Sequence, residues 1–323
     1  MLTGELAREM NTVRLRFWTD LILVAVVLCG CAPAQELNPD KAAHPPSLPP
    51  SIEQPAVPPA LAGTESQLRD ALRANPNSAE ILYRLALVLR QENKPKDSLA
   101  LYTRAAGVRR PTANELQSVA LDYVLLNDYE DAVHWLRVAL SDDPTNVEVL
   151  YSLGRCLYTQ NHFDEAEQAF RRVLALDPHH LKAEENLGLT LDAENQPGRA
   201  EAALQQAASW ARDQEVRDPW PFLDLGGFLL DQQRAAEALP YLRRATTLGP
   251  DLAPAREKLG RALVQTGNAK AGAVELEAAA RLDPKNPKVH FELGQAYRDA
   301  GEADKARAEF TLSRTLYGEH NHN

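Results

Sequence analysis

The sequence predicts an all-α fold: an α-solenoid, a right-handed superhelix of antiparallel helix pairs. Three observations carry that expectation. A 34-residue pattern returns seven times, beginning at 79, 113, 147, 181, 219, 253 and 287, with four extra residues ahead of 219. The eighth residue of each copy is small: Ala86, Ala120, Gly154, Gly188, Gly226, Gly260 and Gly294. The twenty-fourth is bulky: Tyr102, Leu136, Phe170, Leu204, Leu242, Leu276 and Phe310. Small residues facing large ones are what two helices need to interlock at close range.

Composition fits a repeat array. The 323 residues are 44% hydrophobic and only 6% aromatic, as helices built on Ala and Leu require. An array grows by adding modules, so this length demands no second compact domain. The formal net charge of −10 argues against a general nucleic-acid or anionic-membrane binder.

Residues 1–31 read as an export signal. Arg14 and Arg16 precede the apolar run Leu21–Leu28, which is shorter than the about 20 residues of a spanning helix. Met10 offers a cleaner basic start than Met1, because Glu5 and Glu9 lie before it. Leu28, Cys29, Gly30 and Cys31 resemble the lipobox of bacterial lipoproteins. That resemblance implies lipidation of Cys31, a membrane contact made only through the lipid, and a site facing the periplasm or cell exterior. Ordinary cleavage after Ala32–Pro33–Ala34 is one rival reading and gives a soluble secreted or periplasmic protein; an uncleaved anchor is the other.

Residues 32–63 hold nine prolines and cannot form helix. They read as a disordered, semi-stiff tether reaching roughly 100 Å at about 3.1 Å per residue. Residues 64–76 read as half a repeat. Leu68, Ala71 and Pro76 match repeat positions 24, 27 and 32, so a lone second helix would cap the first full repeat.

The seven repeats follow as 79–112, 113–146, 147–180, 181–218, 219–252, 253–286 and 287–320. In the third, Leu150, Leu153 and Leu157 share one helical face, and Ala166, Phe170 and Val173 mark the inner face of a second helix. Pro178 closes it. The fourth departs from the rule: four residues are added near Trp210–Trp220, which a second helix one turn longer would absorb. The last repeat's second helix carries Arg307, Glu309, Thr311 and Arg314, polar enough to be its own cap.

This pattern resembles the tetratricopeptide repeat, in which a bulky residue, Leu–Gly, a second bulky residue, Ala and Phe at four-residue spacing and a closing Pro recur. Here they are Leu150, Leu153–Gly154, Leu157, Ala166, Phe170 and Pro178. The resemblance implies a protein-binding groove lined by positions 2, 5, 9 and 12 of each first helix. Carried onto this chain, the candidate contacts are Tyr83, Arg90, Tyr151, Arg155, Tyr158, Arg261, Phe291 and Arg298. Tyr151, Arg155 and Tyr158 form the central cluster, since Tyr and Arg dominate interface energetics. The Lys and Asn set by which some members of the family clamp a chain terminus is not reproduced.

No catalytic constellation is evident. The sequence holds no GxGxxG, phosphate-binding Lys loop, GxSxG or HExxH. No cofactor and no metal are expected, His179–His180 reading as a solvated turn. Cys156, on an inward helix face, reads as an inert apolar residue. The functional expectation is therefore a non-enzymatic scaffold or adaptor that binds a protein or peptide through its groove at the bacterial envelope. An assembly factor for outer-membrane or secretion machinery is the alternative, followed distantly by an envelope enzyme or glycan-binding factor.

Overall fold

The computed structural model describes residues 65–320. Residues 1–31, expected to be an export signal ending at Cys31, and the expected tether 32–63 lie outside the described residues. Fifteen α-helices and no strand are present among the described residues. They are α1 (Glu65–Ala74), α2 (Ala79–Gln91), α3 (Pro95–Ala106), α4 (Ala113–Leu125), α5 (Tyr129–Asp142), α6 (Val147–Thr159), α7 (Phe163–Leu176) and α8 (Leu181–Ala193). Next come α9 (Pro197–Asp213), α10 (Trp220–Asp231), α11 (Ala235–Leu248), α12 (Ala253–Gln265), α13 (Ala269–Leu282), α14 (Pro287–Asp299) and α15 (Ala303–His320). The fold is an all-α helical repeat. It divides after Leu176 into an N-terminal unit holding α1–α7 and a C-terminal unit holding α8–α15.

In the N-terminal unit α2 pairs with α3, α4 with α5 and α6 with α7, while α1 lies on α2. Leu68 of α1 joins Leu85 and Leu89 of α2 in one buried cluster, so the half-repeat shields an edge that would otherwise face water. A Cβ added to Gly154 would come within 2.7 Å of the Phe170 ring. The small position thus receives the bulky one directly. Burying a ring of that size stabilises by about 1.5–3 kcal/mol. Polar ties reinforce the stack: Gln117 of α4 donates to the Glu148 carbonyl and to Ser152 of α6 at 3.1 and 2.9 Å. Arg104 and Arg172 each donate to the closing proline carbonyl of the preceding module, Pro76 and Pro144, at 2.8 and 2.9 Å.

The C-terminal unit repeats the scheme with α8/α9, α10/α11, α12/α13 and α14/α15. Gly260 meets Leu276 and Gly294 meets Phe310 as Gly154 meets Phe170. Helix α9 is 17 residues long, against 14 for α7, α11 and α13. The helix takes up three of the four surplus residues, and the connection 214–219 that follows is six residues long, against four ahead of α8, α12 and α14, with Glu215 at φ 53°.

One turn signal runs through both units. Position 15 of every repeat sits in the left-handed region: Asn93, Asn127, Asn161, Asn195, Gln233, Gly267 and Gly301, at φ between 58° and 85°. Asn and Gly are the residues that adopt it at least cost. Helix starts are capped locally. Ser78, Asn146 and Asn286 accept from backbone N–H groups, and Thr112 with Glu115 forms a reciprocal capping box.

Candidate functional site

In the N-terminal unit the first helices α2 and α6 carry the expected contact residues, and the two on α2 lie in the interior. Tyr83 is buried: its hydroxyl donates to the Arg109 carbonyl at 2.9 Å, and the Arg109 guanidinium covers its ring at 4.5 Å. The turn between α3 and α4 closes over it, so it is a packing residue and not a surface contact. Burial raises its phenol pKa. Arg90 is only 2% exposed and reaches from α2 toward α4, where Nη1 donates to the Ser118 carbonyl at 3.5 Å.

Arg90 faces Asp122, which is wholly buried on α4. Ser98 Oγ lies 2.8 Å from the Ala86 carbonyl and 2.6 Å from Asp122 Oδ2. One hydroxyl proton cannot serve two acceptors, so the network closes when Asp122 carries a proton of its own. Burial pushes its carboxyl up to about 7, against the pull of Ser98 and Arg90.

Tyr151, Arg155 and Tyr158 share one half-buried face of α6, because their spacings of four and three residues are helical. Tyr151 packs on Phe170 at 6.1 Å and Tyr158 on Phe163 at 5.5 Å. The Arg155 guanidinium sits 5.9 Å from the Tyr151 ring, and its Nε is enclosed without a hydrogen-bond partner. Cys156 beside it is buried, which pushes its thiol up to about 12 and leaves it unreactive.

In the C-terminal unit the face of α8, α10, α12 and α14 is built from charge. Lys288 binds Glu257 at 2.7 Å, and Arg261 lies 3.4 Å from Glu292 and 3.8 Å from Asp231. Glu292 is largely enclosed, with one oxygen lacking a partner; burial and then Glu257 push its carboxyl up to about 8. Glu185 of α8 and Asp224 of α10 are hydrogen-bonded to each other. Burial raises Glu185 well above the usual carboxylate range and Asp224 to about 6. Lys258 of α12 lies over Gly227, where an added Cβ would stand 2.9 Å from its Nζ, and pulls on Asp224. Phe291, 46% exposed, packs its ring on Phe310 at 5.6 Å, and Arg298 is exposed beside Asp299 at 3.1 Å.

Asp224, Lys258 and Glu292 were not among the sequence-based candidates. All three occupy position 6 of their repeats, whereas the expected lining positions were 2, 5, 9 and 12. The signal was available: successive sixth residues in the last three repeats read Asp, Lys, Glu. His180 accepts from the Ala183 N–H through Nδ1 and so caps α8. Among the described residues no group of three His, Cys, Asp or Glu could hold a metal, and no helix is long and apolar enough to cross a membrane.

Residues 65–114, 151–216 and 257–318 match the family model described as tetratricopeptide repeat, which covers more than half of the chain. The chain belongs to the tetratricopeptide repeat family. Residues 96–173 also match the model for anaphase-promoting complex, cyclosome, subunit 3. No curated protein matches by sequence.

Among solved structures, the Cut9–Hcn1 hetero-tetramer of the anaphase-promoting complex aligns with TM-score 0.60 and 15% identity, over 78% of this chain and 49% of that one. The chain thus spans about half the length of that relative. A tetratricopeptide repeat protein from Parabacteroides merdae aligns with TM-score 0.58 and 17% identity, over 72% of this chain and 90% of the other. Pseudomonas aeruginosa pilF aligns with TM-score 0.56 and 20% identity, over 72% and 97%. At these identities the likeness is one of fold.

Proposed function

We propose that this chain is a non-enzymatic scaffold that holds a protein or peptide partner on its first-helix faces, at the bacterial cell envelope. The observation that carries the binding role is the half-buried Tyr151, Arg155 and Tyr158 row on α6. These residue types supply rigid, amphipathic contact area at low entropic cost. Exposed Phe291, on the same helix as Lys288 and Glu292, offers a second contact on α14. The envelope placement is supported by Arg14, Arg16, the apolar run to Leu28, and Cys31.

The test is crosslinking and recovery of partners from envelope fractions. The chain is compared with a variant in which Tyr151, Arg155 and Tyr158 are all Ala. Partner recovery is expected to fall with the triple change, and unchanged recovery removes α6 from the binding surface. Labelling with a palmitate analogue is expected to mark the chain and to vanish in Cys31→Ala. An unlabelled wild-type chain removes the lipid anchor.

A further inference from the structure

We propose that Arg155, flanked by Tyr151 and Tyr158 on α6, receives an Asp or Glu side chain from an extended segment of the partner protein. This rests on the reading of α6 as the contact face and adds the chemistry of what it contacts.

The first helices of the N-terminal unit carry three other-wise comparable guanidinium groups, and they differ in how they are compensated. Arg84 is paired with Glu80 at 2.6 Å. Arg90 is enclosed and faces Asp122. Arg155 pairs with no carboxylate among the described residues, and its Nε, like those of Arg84 and Arg90, meets no acceptor. An enclosed N–H on a charged group without an acceptor is destabilising, so an incoming acceptor is favoured there. Arg155 is half-buried, and a rotamer change of the kind common at interfaces brings its planar fork to a carboxylate, which accepts from Nε and one Nη together. The tyrosines on either side exclude water from that pair, which strengthens it.

The occupant is a side-chain carboxylate and not a chain terminus. Arg155 is the sole basic residue of α6, so one guanidinium meets one carboxylate, and the Lys and Asn set that clamps a chain terminus in some members of the family is not reproduced. The C-terminal unit offers no equivalent seat at Arg261 or Lys288, because Glu292, Asp231 and Glu257 already hold them.

The experiment is fluorescence anisotropy on the full chain at low salt. Three eight-residue peptides, acetylated and amidated so that no terminal charge remains, alternate Tyr with Glu, Gln or Lys. The Glu peptide is expected to bind at least about tenfold tighter than the Gln peptide, a difference of about 1.4 kcal/mol. Arg155→Gln should abolish that preference, Arg155→Lys should keep a weakened one, and Arg155→Glu should turn it toward the Lys peptide. Thermal melting by circular dichroism confirms that each variant is folded.

Equal binding of the Glu and Gln peptides, or a Glu preference that survives Arg155→Gln, overturns the carboxylate seat. If that equal binding is lost in a Tyr151→Ala, Tyr158→Ala double variant, the contact face stands and only its chemistry falls. If the wild-type chain binds none of the three peptides, the carboxylate seat is overturned, and partner recovery from envelope fractions decides the scaffold role separately.

Discussion

The two units share one interior and differ in their faces. In both, a small eighth residue receives a bulky twenty-fourth, as Gly154 receives Phe170 and Gly260 receives Leu276. On the first helices of the N-terminal unit the enclosed atoms without partners are mostly N–H donors, of Arg84, Arg90 and Arg155, with Asp122 Oδ1 beside them. On those of the C-terminal unit they are carboxylate oxygens of Glu185 and Glu292. The lesson is that a repeat separates its duties by position. Packing holds the seam to a small residue at the eighth position and a bulky one at the twenty-fourth, so recognition is written in the remaining positions, where donors and acceptors can be exchanged without disturbing the stack.

The largest expected effect tests whether the interiors are truly equivalent. Phe170→Ala in one unit and Leu276→Ala in the other should each cost about 2–5 kcal/mol, seen as a lower urea midpoint. A cost below about 1 kcal/mol at either site would break the equivalence.

The second prediction concerns pH. Asp122 is the raised carboxyl of the N-terminal first helices, at about 7, whereas the C-terminal unit has Asp224 at about 6, Glu292 at about 8 and Glu185 well above its ordinary range. Burial is the leading cause for each, so the folded state binds protons that the unfolded chain releases near pH 4. Stability from these groups is fully present below that point and is lost as pH climbs through about 6 to 8. Helices α8, α10, α12 and α14 should therefore lose more hydrogen-exchange protection between pH 5 and 8 than α2, α4 and α6. Glu292→Gln should remove up to about 3 kcal/mol of that dependence. Equal losses in the two units would contradict the contrast.

Third, Gly227→Ala should stabilise α10 by up to about 1 kcal/mol through helix propensity, while the new methyl pushes the Lys258 ammonium aside. Asp224 should then titrate above about 6 in carboxyl-detected NMR. An unchanged titration would show that Lys258 does not act on it. The smallest expected effect is Arg172→Ala. It removes the tie to Pro144 and should cost about 0.5–1 kcal/mol, with no counterpart at Ala278, which holds the same position in the sixth repeat.

The fold was legible because its seam leaves no freedom. A small residue and a bulky one sixteen residues later, Gly154 and Phe170 in the third repeat, are visible together in every copy. The longer α9 could be inferred from four surplus residues. The face was less legible. Tyr83 and Arg90 stand at lining positions by number, yet the Arg109 turn covers one and α4 encloses the other. Such cover depends on which neighbour leans across, and a single helix's pattern does not contain it. Asp224 and Glu292 looked like ordinary polar residues for the same reason: the packing of adjacent first helices, not local sequence, takes them out of water.

The left-handed hinge at position 15 has a consequence for how such a chain can change. Asn and Gly exchange there at little cost, so a copied 34-residue cassette brings its own working hinge and needs no tailored junction. Glu215, after the overlong α9, is where that beat is interrupted. A cassette spliced in at that point would inherit the wrong phase, which makes the fourth module the place where duplication stops being free.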